Sequence, residues 1–359
     1  VWLYPKQNDL KKGHILVVFC FRATGEGHIS WIVFRSAVID RNNDIYLEPI
    51  SRFAATPAVN MDPVYDKNFF IEKLKDLGAF DEAAAFVMEQ LPDNFSYSAL
   101  IKELKDPLSK LKWLADCNYE VSFPANQLIS ERVLFPVSPT ESNGMEDARF
   151  VRFTQDDGSF IYYATYTAYN GSAILPQILE TKDFHHFKMS TLNGTFAKDK
   201  GMALFPRKIN GKYAMISRPD GESLYLMYSD NIHFWYEAKK MQEPSLPWEM
   251  VKIGNCGSPI ETKEGWLLLT HGIGPIRKYC IGIELLDLND PSKVIAKMEE
   301  PLISPTEEER DGYVPNVVYS CGSMLVRDKL IIPYAASDSV SSIAVISLNE
   351  LLDKLLNRK

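Results

Sequence analysis

Short apolar runs, cut by Gly, Pro, Asn and Asp, dominate the chain. Those at 14–21, 31–39, 160–169, 212–217, 224–229, 266–272 and 330–334 are rich in β-branched and aromatic residues and predict strands. No helical pattern alternates with them, which favours a sandwich, barrel or propeller over a βαβ sheet. An internal echo narrows the choice. Thr181-Lys-Asp-Phe-His-His-Phe187 and Ser229-Asp-Asn-Ile-His-Phe-Trp235 share a hydroxyl residue, a carboxylate or amide, an apolar residue, His and a closing aromatic, 48 residues apart. That spacing is the period of a four-stranded propeller blade.

One segment breaks the β pattern. From 63 to 116 the apolar positions Phe70, Leu74 and Leu77, then Leu100, Leu104, Leu108 and Leu111, fall at helical spacing. Pro107 removes a backbone donor and must kink that second stretch or start a new helix. Ser347 and Glu350 stand in capping-box spacing before Leu351, Leu352 and Leu355, predicting a C-terminal helix. The pattern as a whole predicts an all-β fold in one domain spanning 1–359, with a helical insertion at about 63–116 and a closing helix.

Composition adds exclusions. At 359 residues and 46% hydrophobic the chain can bury a large core, and a net charge of −8 disfavours a nucleic-acid surface. Cys20, Cys117, Cys256, Cys280 and Cys321 are odd in number and lack C-x-x-C spacing, so neither a zinc site nor a disulfide framework is indicated and a reducing compartment fits. The apolar run 15–21 is too short to cross a bilayer. A cytoplasmic location is therefore expected, or a periplasmic one if a leader preceded Val1.

Four segments concentrate chemistry. Gly144-Met-Glu-Asp-Ala-Arg-Phe150 sets two acids and an arginine at a strand entrance, where partial desolvation raises a carboxyl toward acid duty; a structural salt bridge is the plainer reading. In Lys200-Gly-Met-Ala-Leu-Phe-Pro-Arg207 and Ile216-Ser-Arg-Pro-Asp220, a tight turn at Asn210-Gly211 returns Lys200 and Arg218 toward one rim. Cations converging there would hold an oxyanion, unless both are solvated surface charges. Lys252 and Glu261 flank a glycine-rich loop, and His271 ends an apolar strand; His271 is a core residue or an oxyanion ligand, and Glu261 a general base or a rim carboxylate. Cys256 reads as packing. Finally, 305–322 carries Glu307, Glu308, Glu309, Tyr313 and Tyr319, with Glu309 as the acid to test.

In order, Gly-Met-Glu-Asp-Ala-Arg, Leu-Phe-Pro-Arg-Lys-Ile-Asn-Gly-Lys-Tyr, Arg-Pro, Lys-Ile-Gly, Pro-Ile-Glu-Thr with Gly-Trp-Leu, His-Gly, Leu-Leu-Asp-Leu-Asn-Asp-Pro and Gly-Tyr-Val-Pro-Asn-Val-Val-Tyr resemble glycoside hydrolase family 130 from about residue 14 to 340. The resemblance implies a five-bladed β-propeller acting on β-mannosides, with Asp147 as general acid. It implies phosphate contacts at Arg218, Lys252 and His271, with Lys200 standing where the family usually has an Arg. Arg149, Tyr166, Asp220 and Tyr313 are the expected substrate contacts. Two outcomes stay open: attack by phosphate, or by a water that Glu261 or Glu309 activates, the latter requiring carboxyls about 6.5–9.5 Å apart. A third reading is a glycan-binding platform that does not cut, its pocket rimmed by Tyr163, Tyr166, Tyr169, Trp235 and Trp248. The expected partner is a mannose-containing oligosaccharide, with inorganic phosphate as co-substrate and neither cofactor nor metal; a homo-oligomer is left open.

Overall fold

The computed structural model describes residues 2–3, 13–106 and 109–358. The chain is mostly β with few helices. Each predicted strand is present, at Ile15–Thr24, Ser30–Ile39, Phe160–Tyr169, Tyr213–Ser217, Leu224–Ser229, Trp266–Ile273 and Lys329–Ala336. Four extend past their apolar runs, because ladder hydrogen bonds continue through polar positions that periodicity ignores, while Phe160–Tyr169 and Leu224–Ser229 coincide with theirs and Tyr213–Ser217 is one residue shorter.

Among the described residues the strands form one 11-stranded sheet, two 4-stranded sheets, one 5-stranded sheet and a 2-stranded ribbon. The large sheet contains the hairpin Ile15–Thr24/Ser30–Ile39 and the meander Gly144–Thr154, Phe160–Tyr169, Ile174–Thr181, His186–Thr191. One parallel pairing, Gly144 to Ser30, joins them. Gly144 has φ of +133°, and a Cβ there would collide with Ser30, so only glycine permits the junction. The 4-stranded sheet that follows runs Ala203–Leu204, Tyr213–Ser217, Leu224–Ser229, Ala238–Gln242.

The echoed sequence occupies equivalent places in these two sheets, between third and fourth strands. Thr181 Oγ1 accepts from the Asp183 and Phe184 amides, and Ser229 Oγ accepts from the Asn231 amide. Asp183 and Asn231 in turn accept from backbone N–H groups two residues on. The hydroxyl and the carboxylate or amide recur because each builds the same kind of turn.

The insertion holds four helices, α1 (Lys67–Asp76), α2 (Glu82–Gln90), α3 (Tyr97–Glu103) and α4 (Lys110–Asp116), each capped by a side chain from Asp66, Asp81, Ser96 or Ser109. Pro107 and Leu108 lie outside the described residues. Phe70, Leu74, Leu100 and Leu111 form the insertion's own buried cluster. Lys73 fastens it to the sheet, donating to Asn118 Oδ1 (2.7 Å) and the Thr191 carbonyl (3.2 Å). Helix α5 (Leu348–Leu355) buries Leu351, Leu352 and Leu355 as predicted, but Ser347 makes no side-chain cap bond, so the capping box is not formed.

Two buried polar networks brace the sheets. Tyr166, expected at the substrate, is instead core. It is 3% exposed, with its hydroxyl 2.6 Å from both Glu141 Oε1 and Gln177 Oε1, and Tyr119 donates to the same Glu141. The reason is that this strand is covered on both faces, every position from 161 to 168 being buried, so neither face leaves a tyrosine free for a ligand; Tyr166 also stands opposite the bulge described below. The second network holds Glu284 and Glu249, both fully buried, with Gln242 donating to Glu284 and Lys297 pairing with Glu249 at 2.9 Å. Burial pushes the Glu284 carboxyl up to about 7 despite the Gln242 bond and the Lys297 charge.

Replacing Tyr166 by Phe should lower unfolding free energy by about 1–2 kcal/mol while leaving any KM for sugar unchanged, since a buried acceptor loses its partner; parallel denaturant and kinetic titrations check it. Glu284 binds its proton more tightly folded than unfolded, so its contribution is fully present below about pH 4.5 and is lost as pH rises through about 7. Glu284→Gln should therefore be more stable than the parent at pH 8, by up to about 3 kcal/mol, with the gap closing near pH 4.5. Denaturation at the two pH values decides it.

Candidate active site

Asp147 owes its position to a β-bulge. Strand Gly144–Thr154 pairs regularly with Phe160–Tyr169 until the register slips between Glu146 and Arg149, leaving Asp147 and Ala148 opposite one residue. Asp147 takes φ of +54°, a left-handed conformation that acidic and amide residues tolerate better than most. The bulge turns its carboxyl out of the ladder. There it lines a cavity of about 360 Å³ between the first hairpin and the last sheet, with Arg22, Tyr319, Cys321, Tyr334 and Asp338. Cys321 Sγ is 3.9 Å from Asp147 Oδ1. Adjacent Glu146 pairs with Lys200 (2.6 Å) and Arg22 (3.6 Å), and Arg22 reaches Asp338 (3.4 Å).

On the other side of Tyr319 the cations gather. Arg149, 2% exposed, donates from Nη2 to the Tyr319 hydroxyl at 2.6 Å. The Tyr319 ring meets the His271 ring edge-on at 5.0 Å, and His271 Nε2 accepts from Arg218 Nη1 at 3.1 Å. Gly254 pairs with His271 across the sheet, and a Cβ there would strike both the His271 imidazole and the Arg218 guanidinium. Burial, then Arg218 and Arg149, hold the His271 imidazole far below its usual pKa, so it is neutral and able to accept. Burial, then Arg218, also lowers the Lys252 ammonium. Asp147 belongs to the same electrostatic neighbourhood, since its charge acts on Arg149, Lys200 and Arg22.

Gly201 forms the floor of this cluster. Its φ is +98°, and the position a Cβ would take lies 3.6 Å from Asn255 Oδ1, 3.7 Å from Arg149 Nη1 and 3.8 Å from Arg218 Cβ. Three buried polar atoms of these side chains, Arg149 Nε, Arg218 Nε and Asn255 Oδ1, have no hydrogen-bond partner among the described residues. Such atoms are costly to leave unmatched.

The structure thus brings together Asp147, Arg149, Arg218, Lys252 and His271. It uses the other expected site residues differently. Lys200 follows the chain to Gly201, but its ammonium goes to Glu146 because that carboxylate is the nearer charge. Glu261 is clamped by Arg207 through two bonds of 2.6 and 2.8 Å, and pairs with Trp266, five residues along the strand from His271, or roughly 16 Å at the usual rise. Glu309 lies behind Tyr334, whose hydroxyl it accepts at 3.0 Å; the Thr306 amide, the chief cause, holds its carboxyl below the usual range and makes it a poorer base. Asp220 closes a turn by accepting from the Glu222 and Ser223 amides and the Tyr225 hydroxyl. Tyr313 is 65% exposed and stacks on His28 at 4.8 Å instead of entering the cavity.

Of the aromatic residues expected to rim a pocket, Tyr163, Tyr166 and Trp235 are buried in the core. Cys256 is buried, its thiol pushed up to about 12 by burial, as packing requires. No group of three His, Cys, Asp or Glu side chains able to hold a metal occurs among the described residues. Arg22, Asn255 and Cys321 had no role in the sequence reading. Arg22 lies just past the apolar run 14–21, in the part of the strand that hydrophobicity does not reveal. Asn255 could be noticed only as a polar residue inside an otherwise apolar and glycine-rich strand.

The sequence model for a family described as β-1,4-mannooligosaccharide phosphorylase, glycoside hydrolase family 130, matches residues 115–357. A 1,2-β-oligomannan phosphorylase from a Thermoanaerobacter species is 30% identical, over 82% of this chain and 99% of its own. A β-1,2-mannobiose phosphorylase from the same organism is 35% identical over 70% of this chain and 83% of its own. The solved β-1,2-mannobiose phosphorylase of Listeria innocua, in complex with β-1,2-mannobiose, superposes with a TM-score of 0.58 at 21% identity, covering 96% of this chain and 94% of that one, and shares its fold. With most of the chain matched by the family's own pattern, and one relative matched almost end to end, this protein belongs to glycoside hydrolase family 130.

Proposed function

We propose that the protein is an inverting phosphorylase of β-mannosides, with Asp147 as general acid and inorganic phosphate as nucleophile. The observation that carries this reading is the cluster of Arg149, Arg218 and Lys252 around neutral His271, in which the buried Nε atoms of both arginines lack a hydrogen-bond partner among the described residues. Buried, convergent donors of this kind are worth far more to an oxyanion than the same groups in water.

In the proposed reaction a phosphate oxygen attacks the anomeric carbon from the face opposite the leaving sugar. The bond from that carbon to the glycosidic oxygen breaks, and Asp147 supplies the proton that the departing oxygen needs. Monohydrogen phosphate brings one proton, which restores Asp147 when the phosphate becomes an ester, so the products are the acceptor sugar with a free hydroxyl and α-mannose 1-phosphate. Arg218 and Lys252 balance the phosphate charge. Neutral His271 orients Arg218 through its Nε2, and Arg149 ties the acid's strand to Tyr319. No cofactor enters this scheme.

Hydrolysis would need a second carboxylate free to activate water. Glu261 is committed to Arg207 and Glu309 to Thr306 and Tyr334, which favours phosphate as the nucleophile. The relatives' names point the same way. The fold reading that accompanies the proposal is one five-bladed propeller spanning 1–359. The hairpin 15–39 and the meander 144–191 would be two blades of the joined sheet, and the remaining large sheets the other three, with the site where the strands Lys252–Asn255, Gly144–Thr154 and Val318–Tyr319 converge.

Incubating the protein with β-mannosides of several linkages, with and without inorganic phosphate, tests the function. Phosphate-dependent mannose 1-phosphate is expected; free mannose irrespective of phosphate would establish a hydrolase, and no product from any linkage a glycan-binding protein. Asp147→Asn keeps a residue suited to positive φ, so it should fold normally, bind sugar as before, and lose about 10²–10⁴-fold in kcat. A variant with undiminished kcat would remove Asp147 from the chemistry.

A further inference from the structure

Asn255 ends the strand Lys252–Asn255 and is fully buried. Its side-chain nitrogen donates to the Gly257 carbonyl at 3.1 Å. That bond settles which end of the amide is which, since only the nitrogen can donate to a carbonyl. The oxygen is therefore the free end, and it has no hydrogen-bond partner among the described residues. It lies beside Gly201, 3.6 Å from the point a Cβ would occupy, with Arg149 Nη1 at 3.7 Å from the same point, so the acceptor borders the cation cluster. Positive φ at Gly201 disfavours any other residue, which keeps a side chain from coming between them.

The remaining charged walls, Arg149, Arg218 and Lys252, are donors. A site made only of donors separates phosphate from sulfate poorly, because the two are tetrahedral anions of similar size. They differ in one respect across the neutral range. Phosphate keeps at least one P–OH, and sulfate carries no proton. A buried acceptor gains a hydrogen bond from the first and meets only lone pairs from the second. Leaving such an acceptor unpaired in a closed site costs about 1–3 kcal/mol, which corresponds to a preference of roughly 10- to 100-fold.

We propose that Asn255 Oδ1 accepts the P–OH of inorganic phosphate and thereby excludes sulfate, making Asn255 the residue that selects the oxyanion. The inference rests on the phosphorylase reading in taking this cation cluster as the phosphate site. It adds an orientation: with its P–OH turned to Asn255, phosphate presents its unprotonated oxygens to the arginines, Lys252 and the reacting carbon.

The test is calorimetric titration of sodium phosphate and sodium sulfate, separately, into the whole protein in chloride buffer near neutral pH. The parent should bind phosphate at least about 10-fold more tightly than sulfate. Asn255→Leu removes the acceptor at similar volume and should bring the ratio close to one, weakening phosphate and strengthening sulfate, with the KM for mannoside unchanged. Asn255→Asp keeps an acceptor and adds charge, so it should weaken sulfate more than phosphate and preserve or widen the ratio. Unfolding curves establish that each variant is folded; should the Leu variant not fold, parent and Asp variant carry the test. Equal affinities in the parent, absence of binding by either anion, a folded Leu variant with the parental ratio, or an Asp variant that weakens both anions alike would each overturn the proposal. Titration reads the pocket without turnover, whereas product analysis reads the reaction. Selective phosphate binding with phosphate-independent release of mannose would leave the anion selection standing and sink the phosphorylase reading.

Discussion

Keeping several cations desolvated side by side is the constraint on which the rest of the site depends. Two unit charges about 4 Å apart repel by about 4 kcal/mol at the effective dielectric of a protein surface, and more deeper inside. Arg149, Arg218 and Lys252 cannot be held together without compensation. The structure supplies it at the edges. Tyr319 takes one arginine's N–H, Asp199 stands 4.0 Å from Arg218 Nε, and His271 is kept neutral so that it adds an acceptor and not a fourth charge. What remains unmatched among the described residues, Arg149 Nε, Arg218 Nε and Asn255 Oδ1, is buried in or beside the same cluster.

That constraint accounts for local features with no other evident purpose. Gly254 has no side chain because His271 and Arg218 already fill its space, and Gly201 has none because its φ of +98° disfavours one. The bulge at Asp147 gives up a regular pairing to turn a carboxyl toward the cavity, yet keeps Arg149, two residues later, pointing to Tyr319 on the last sheet. Acid and cation thus come from one short segment, with Tyr319 linking that segment to the histidine of another sheet. A shift in this strand would move both partners at once.

The sequence made the strands legible because their apolar periodicity is strong, and it placed the helical insertion, whose leucines and phenylalanines form a core of their own. The approach of Arg218 to His271 was legible in part, because the Asn210-Gly211 turn returns Arg218 toward one rim and His271 ends an apolar strand. Tyr166 was misread because nothing in the sequence shows a tyrosine hydroxyl meeting Glu141, a residue 25 positions away. Glu261 and Asp220 were misread for a related reason. A carboxylate beside a glycine-rich loop or an Arg-Pro pair looks chemical until its oxygens are counted, and Arg207 and the turn amides already occupy them. Satisfaction of hydrogen-bonding capacity is a three-dimensional property, and motif reading has no access to it.

The fate of Lys200 shows how one such commitment shapes the chemistry. Because Glu146 holds it at 2.6 Å, its charge is balanced by a carboxylate instead of adding to the cluster of Arg149, Arg218 and Lys252. Its ammonium nevertheless remains close enough to act electrostatically on Asp147, as does Arg22 from the opposite wall. The Glu146 ion pairs to Lys200 and Arg22 therefore hold the bulged strand against its neighbours on two sides, and they set a carboxylate between two of the cations that act on Asp147.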